Sequence, residues 1–342
     1  MSALQKFSNR QPWMDLCRTF AIFGVIVIHA CGASLYQYGK IPQYDWLSSN
    51  LLDSFVRCSV PLFVMLSGAL LLRKNKPPPT PIEIVQRIKK IIIPLLIWNI
   101  AYLNYVSYFS GQPINWASML WQAPMYHLWF AYMIIGIYTL LPALQAIFEV
   151  IRNRTDLKIY FSVLWISVTC IPVYKSIPLF DLLQQTTLLG YGGYFLIGGI
   201  INSNNANKTS TAIWILIYLA SVAVTFFLTW NLTTQANTLV ETAYLYFSPN
   251  VFLASISSFI ILSRVNIQEN ISRIFHWISE RSFLVFFMHP PVLERVNNYA
   301  PVFNQTLSML PSILAIAIIT YGICLVIATL LRKIPKSQFF LG

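Results

Sequence analysis

Residues 16–36 read LCRTFAIFGVIVIHACGASLY. A helix needs roughly 20 predominantly apolar residues to span the hydrocarbon of a bilayer, and this run supplies them while carrying only two ionisable side chains, Arg18 and His29. It follows Lys6 and Arg10 as the core of a signal peptide would, but it has no A-x-A cleavage site. It therefore reads as a retained first transmembrane helix. Working outward, further apolar runs cover 51–72, 91–110, 127–149, 159–174, 187–202, 210–230, 245–263, 282–293 and 308–331, separated by short polar or proline-bearing links. The fold class expected is all-α: a polytopic transmembrane helical bundle of about ten helices, forming a single integral membrane domain over 1–342. The fifth, sixth and ninth runs are short. Gly190, Gly192, Gly193, Gly198 and Gly199 crowd the sixth, and Pro290 and Pro291 are expected to terminate or break the ninth.

Composition agrees with a bilayer as solvent. The chain is 56% hydrophobic and 10% charged with a mean hydropathy of +0.61, too little polar surface for a water-soluble domain of 342 residues. Its net charge of +12 would suit nucleic acid if it were clustered on a soluble face. Instead, with the N-terminus in the cytoplasm, eighteen of the 23 Lys and Arg fall on the cytoplasmic side. Lys40, Lys175 and Arg295 fall on the other, leaving Arg18 and Arg57 in or at the edge of the membrane. That asymmetry is the positive-inside signal, so both termini are expected in the cytoplasm and nucleic acid is not a partner. The five cysteines lie in or beside apolar runs without CxxC spacing, which supports neither a disulfide framework nor a zinc site. The outer links 37–50, 111–126 and 231–244 are rich in Tyr, Trp, Gln and Asn; they read first as a headgroup-level aromatic belt, with sugar binding as the alternative.

Ionisable groups within a membrane span are costly, and each is a candidate for function. Arg18 and His29 are eleven residues apart, three helical turns and about 16 Å of rise, so they share one face. The separation resembles the reach of an extended pantetheine arm, with phosphates at the arginine and a thioester near the histidine. The bland readings are a snorkelling arginine and a hydrogen-bonded packing histidine. Asp53 and Arg57 are four apart and can pair. The stretch RCSVPLFVMLSG that starts at Arg57 combines charge, proline and small residues as a cavity wall would. In MYHLWF, Tyr126, His127 and Trp129 read as belt residues or substrate contacts, and His289 in FFMHPP sits where two prolines free backbone carbonyls. Asp15 is placed to cap the first helix or pair with Arg18, Glu294 lies beyond the Pro-Pro break, and His276 reads as solvated.

These pieces form a pattern: DLCR from Asp15 with ten residues between Arg18 and His29, RCSVPLFVMLSGALLL from Arg57, YHLWF from Tyr126, and SFLVFFMH ending at His289. The pattern resembles the acyltransferase 3 family of membrane O-acyltransferases, over nearly the whole chain and in the same order. What the resemblance implies is a ten-helix domain, in a bacterial inner membrane, that moves acetyl from cytoplasmic acetyl-CoA to a hydroxyl of a surface saccharide or lipid-linked glycan. The family's first-helix pair carries over to Arg18 and His29, and the arginine of its second or third helix region to Arg57. On that reading His29 and Arg57 are catalytic, Arg18 and Asp15 hold the coenzyme, and Tyr126, His127, Trp129 and His289 meet the acceptor. Some relatives add an esterase-like domain outside the membrane; here the membrane domain is expected to complete the transfer itself, without a metal, among membrane lipids.

His29 suits either of two roles, general base toward the attacking hydroxyl or nucleophile through an acetyl-imidazole. Arg18 or Arg57 can hold phosphates or stabilise an oxyanion, the former suiting the residue at the cytoplasmic end. The competing classes are a transporter or glycan flippase without acyl transfer, and a structural membrane protein in which the histidines merely pack.

Overall fold

The computed structural model describes residues 11–75, 77–116, 123–176, 179, 190–203 and 209–342. Helix α1 (Pro12–Leu35) begins four residues before the expected start, because proline at a first helical position lacks only an N–H that would be unpaired anyway. Asp15 therefore lies inside the first turn and does not cap it. The second run is longer than expected, α2 (Gln43–Val56) followed by α3 (Ser59–Leu71), interrupted at Arg57 and Cys58. Its polar opening QYDWLSSN masked the helix in hydropathy, yet Trp46, Ser49 and Asn50 are buried, and Trp46 Nε1 donates to the Leu35 carbonyl at 3.0 Å. Helix α4 (Pro81–Ser110) starts at a Thr80–Glu83 capping box, before the apolar residues begin, and stops at Gly111 in the left-handed region.

The fourth run is a 3-10 turn, Tyr126–Leu128, then α5 (Trp129–Thr139) and α6 (Leu141–Ile151), with a 64° bend between the spans. The remaining elements are α7 (Thr155–Tyr174), α8 (Tyr191–Ser203), α9 (Thr211–Ala236), a 3-10 turn Thr242–Tyr244, α10 (Pro249–Ser263), α11 (Glu269–Ser279), α12 (Ser282–Asn297), α13 (Ala300–Thr306), α14 (Met309–Leu331) and α15 (Ser337–Phe340). Of the sixth run, 187–189 lie outside the described residues. No strand occurs among the described residues. Seven spans among them are long and apolar enough to cross a membrane, or eight with the bent pair. Among the described residues, helices α8 and α12 are shorter than a full span, and much of each is buried.

Pro290 and Pro291 neither end nor break α12, which runs on to Asn297. Each proline orphans the carbonyl four residues earlier, those of Phe286 and Phe287. His289 Nδ1 lies 2.8 Å from the first, and Tyr102 Oη donates to the second at 2.5 Å. Supplying substitute donors lets a proline pair stay helical in a membrane.

Helix α1 is the hub, packing against α2, α3, α10, α11, α12 and α14. The amphipathic α11, too short and polar to register as a span, sits at the Arg18 end of α1: Arg18 Nη1 donates to Ser279 Oγ at 3.0 Å, and His276 Nδ1 lies 3.9 Å from Asp15. His276 is thus half-buried between Asp15 and Glu280, not solvated among loose charges. All five cysteines are free and buried. The charge asymmetry sets an expected topology: a reporter fused after Gly342 or within 73–90 reads cytoplasmic, and one within 111–126 reads extracytoplasmic. Outside labelling of the 73–90 link would reverse the orientation and exchange the donor and acceptor sides.

Candidate active site

Three of the four histidines converge. His29 of α1 stacks on His289 of α12, centroids 5.4 Å apart and planes 16° from parallel, while Tyr126 meets His29 edge-on at 4.7 Å. His127 meets His289 at 5.2 Å and is flanked by Tyr102 at 5.3 Å and Phe286 at 5.2 Å. With Nδ1 of His289 turned to backbone carbonyls, its Nε2 is buried without a hydrogen-bond partner, as are both ring nitrogens of His127. His127 is therefore an interior residue, only 3% exposed, and not a member of an interfacial belt. His29 is half-buried and opens on a cavity of ≈ 40 Å³, bounded by Val25, Ile28, Val60, Phe63, His127, Trp129, Phe130, Tyr246 and Phe286.

Toward the Arg18 end lies a second cavity of ≈ 440 Å³, whose lining includes Arg18, Arg87, Lys90, Tyr138, Ser279 and Glu280. Nε of Arg87 is buried there with no hydrogen-bond partner. Phe63, Phe130 and Phe286 line both this vestibule and the histidine chamber. Their rings stand 5.8 Å (Phe63 to Phe130) and 5.6 Å (Phe130 to Phe286) apart, a collar between two compartments. Arg18 also borders a separate pocket of ≈ 460 Å³ with Asp15, Arg73, Lys74 and Asn202. Asp15 lines this pocket and is not among the residues lining the vestibule or the histidine chamber.

Arg57 makes a bidentate ion pair with the buried carboxylate of Asp53, including Nη2 to Oδ2 at 2.8 Å, and lies 4.2 Å from the Tyr244 ring centroid. The expected pairing at four residues is present. Arg57 does not line the chamber; Tyr246, within electrostatic reach of it, does. Trp129 stacks on Tyr246 at 5.9 Å, forming an aromatic wall beside His29.

Residues 11–329 match the acyltransferase domain of the acyltransferase 3 family. The chain belongs to that family. Among curated proteins it is similar to a probable poly-beta-1,6-N-acetyl-D-glucosamine export protein of Staphylococcus aureus strain Mu50, 21% identical over 336 residues, 93% of this chain and 92% of the relative. The protein of the same description from strain MSSA476 is 22% identical with the same coverage. No solved structure matches.

Within this acyltransferase 3 domain, sequence reasoning found His29, Tyr126, His127, Trp129 and His289, which the fold brings together, and Arg18, which it places one compartment away. It missed the collar phenylalanines, Tyr102, Tyr246, Arg87 and Lys90. Arg87 and Lys90 had a signal: three residues apart on one helix, they share a face, but in sequence they counted only as topology charges. The phenylalanines lie inside the quoted motifs, Phe63 in RCSVPLF, Phe130 in YHLWF and Phe286 in SFLVFFMH, but three of 23 phenylalanines in an apolar chain do not stand out from their neighbours.

Proposed function

We propose that this protein is a membrane O-acetyltransferase carrying acetyl from cytoplasmic acetyl-CoA to a hydroxyl of a cell-surface glycan or lipid-linked saccharide, in a bacterial inner membrane. The observation that carries the reading is the pair of compartments that share the phenylalanine wall, with cationic Arg18, Arg87 and Lys90 on one side and His29 on the other. The vestibule suits the coenzyme's phosphates, and the buried, unpartnered Nε of Arg87 is a donor waiting for an anion. The thioester then reaches His29 through the collar. The acceptor oxygen attacks the thioester carbonyl carbon, a C–O bond forms, the C–S bond breaks, and the hydroxyl proton passes through His29 to the coenzyme thiolate. The products are the acetyl ester and free coenzyme thiol. An acetyl-imidazole on His29 gives the same balance in two steps.

On the acceptor side, YLYFSPNVFLASIS from Tyr244 resembles the O-acetyltransferase of enterobacterial common antigen, and the staphylococcal relatives' names point to a polymer of N-acetyl-D-glucosamine. Both favour a surface polysaccharide. The word export in those names supports a second reading, passage of glycan without acyl transfer. The cationic vestibule beside the histidines favours transfer. Mass spectrometry of surface glycans with and without the protein separates them: transfer predicts loss of an acetyl increment at unchanged polymer, export predicts loss of the polymer itself.

Arg18→Ala is expected to weaken acetyl-CoA binding about 10- to 100-fold by calorimetry, since a hydrogen bond to a charged group contributes about 1.5–3 kcal/mol. Arg18→Lys should recover only part, lacking the planar fork that phosphate accepts. Unchanged affinity in Arg18→Ala would reduce the residue to a snorkelling anchor tied to Ser279.

A further inference from the structure

We infer that Phe63 and Phe130 limit the length of the acyl group this protein accepts, favouring acetyl over longer chains. The inference rests on the acyltransferase reading above. His29 borders the chamber but not the vestibule, so a thioester carbon within reach of His29 places its acyl group inside the chamber. Only ≈ 40 Å³ of the chamber is open to the centres of water-sized groups, and the rings of Phe63 and Phe130 form part of its wall, so each carbon beyond acetyl must find room against them. Those walls are poor at yielding. Phe63 sits on α3, whose backbone is clamped between α1 and α8: a Cβ on Gly24 would meet Ser59 Oγ at 2.1 Å, and one on Gly198 would meet the Met65 carbonyl oxygen at 1.9 Å. Phe130 is wedged between Phe63 and Phe286. Phe286 also packs on His127, so its removal would disturb the imidazoles together with the collar.

An extra methylene in a pocket without room for it costs roughly 10- to 200-fold in kcat/KM. The experiment uses inverted membrane vesicles carrying the full chain, supplied in turn with acetyl-, propionyl- and butyryl-CoA labelled in the acyl group. The readouts are label in the vesicle saccharides and release of coenzyme thiol. The wild-type protein is expected to use propionyl-CoA at least tenfold less efficiently than acetyl-CoA and butyryl-CoA less again. Removing a phenyl ring opens the chamber, so Phe63→Ala and Phe130→Ala should each raise the propionyl-to-acetyl ratio at least tenfold. Phe63→Leu, a milder change kept in case alanine impairs folding, should raise it less. Because the readout is a ratio between donors, a loss of folded protein cancels. Equal use of all three donors by the wild type, or an unchanged ratio in Phe63→Leu and in both alanine variants, overturns the length limit while leaving the acyltransferase reading intact. No transfer from any of the three thioesters overturns the reading beneath it.

Discussion

His29→Ala is expected to lower acetyl transfer at least a hundredfold while leaving expression, folding and acetyl-CoA binding close to wild type. General-base catalysis typically contributes 10²–10⁴-fold, and the loss is larger if the imidazole itself carries the acetyl group. Coenzyme binding survives because the vestibule cations, Arg18, Arg87 and Lys90, lie beyond the collar from His29. Folding survives because His29 is only half-buried and makes ring contacts but fills no backbone vacancy. His289→Ala provides the contrast. It removes the donor that answers the carbonyl orphaned by Pro290, so it should lower the melting temperature, as an unsatisfied buried carbonyl costs about 1–3 kcal/mol. His127→Ala should have a smaller or acceptor-dependent effect on transfer. Quenching the wild-type reaction without acceptor and finding acetyl on His29 would favour the covalent route; its absence would favour the general base. Near-wild-type turnover by His29→Ala, with His127 essential instead, would move the chemistry to the turn at Tyr126–Leu128.

How much of this was readable beforehand depended on whether a residue's chemistry was rare in its surroundings. An arginine and a histidine in α1 stand out because hydrocarbon makes them expensive, and eleven-residue spacing already fixed their shared face. His127 was harder. Among Tyr126, Leu128 and Trp129 a histidine at a helix start looks like a headgroup-level residue, and only the docking of α12 against that turn buries it. Pro290 and Pro291 misled for a related reason: the pair breaks a helix unless other donors reach the orphaned carbonyls, and one of those donors, Tyr102, comes from a helix nearly two hundred residues away in sequence. Hydropathy likewise could not find α2's polar first turns, held by Trp46 and Asn50; it did find α8, but not how closely its glycines let it pack.

Those glycines carry the last large expectation: Gly198→Ala should cost the protein much of its folded yield and lower its melting temperature by a wide margin. Helix α8 lies on α3 with the two backbones nearly in contact. A Cβ on Gly198 would sit 1.9 Å from the Met65 carbonyl oxygen, and one on Gly68, facing the other way, 1.8 Å from that of Phe195. Small residues at a membrane helix interface permit such an approach, where dispersion and polar contacts rather than a hydrophobic driving force hold helices together. Overpacking usually costs about 1–3 kcal/mol because side chains can turn aside. Here the opposing atoms are main-chain carbonyls, which cannot, so the cost should reach the top of that range or pass it. Gly322→Ala is the matched control: it is exposed on α14 with nothing within 4 Å of the added methyl, and the helix propensity gained is about 1 kcal/mol or less. Its melting temperature should be unchanged or slightly raised. The effect on function follows from what α3 carries. If α8 is pushed away, α3 loses one side of its clamp and Phe63 loses its fixed place in the collar, so the Gly198→Ala protein that does fold should accept propionyl-CoA relatively better than wild type. A Gly198→Ala protein that melts with the wild type and keeps its donor ratio would show that α3 and α8 are held apart by more than these glycines allow.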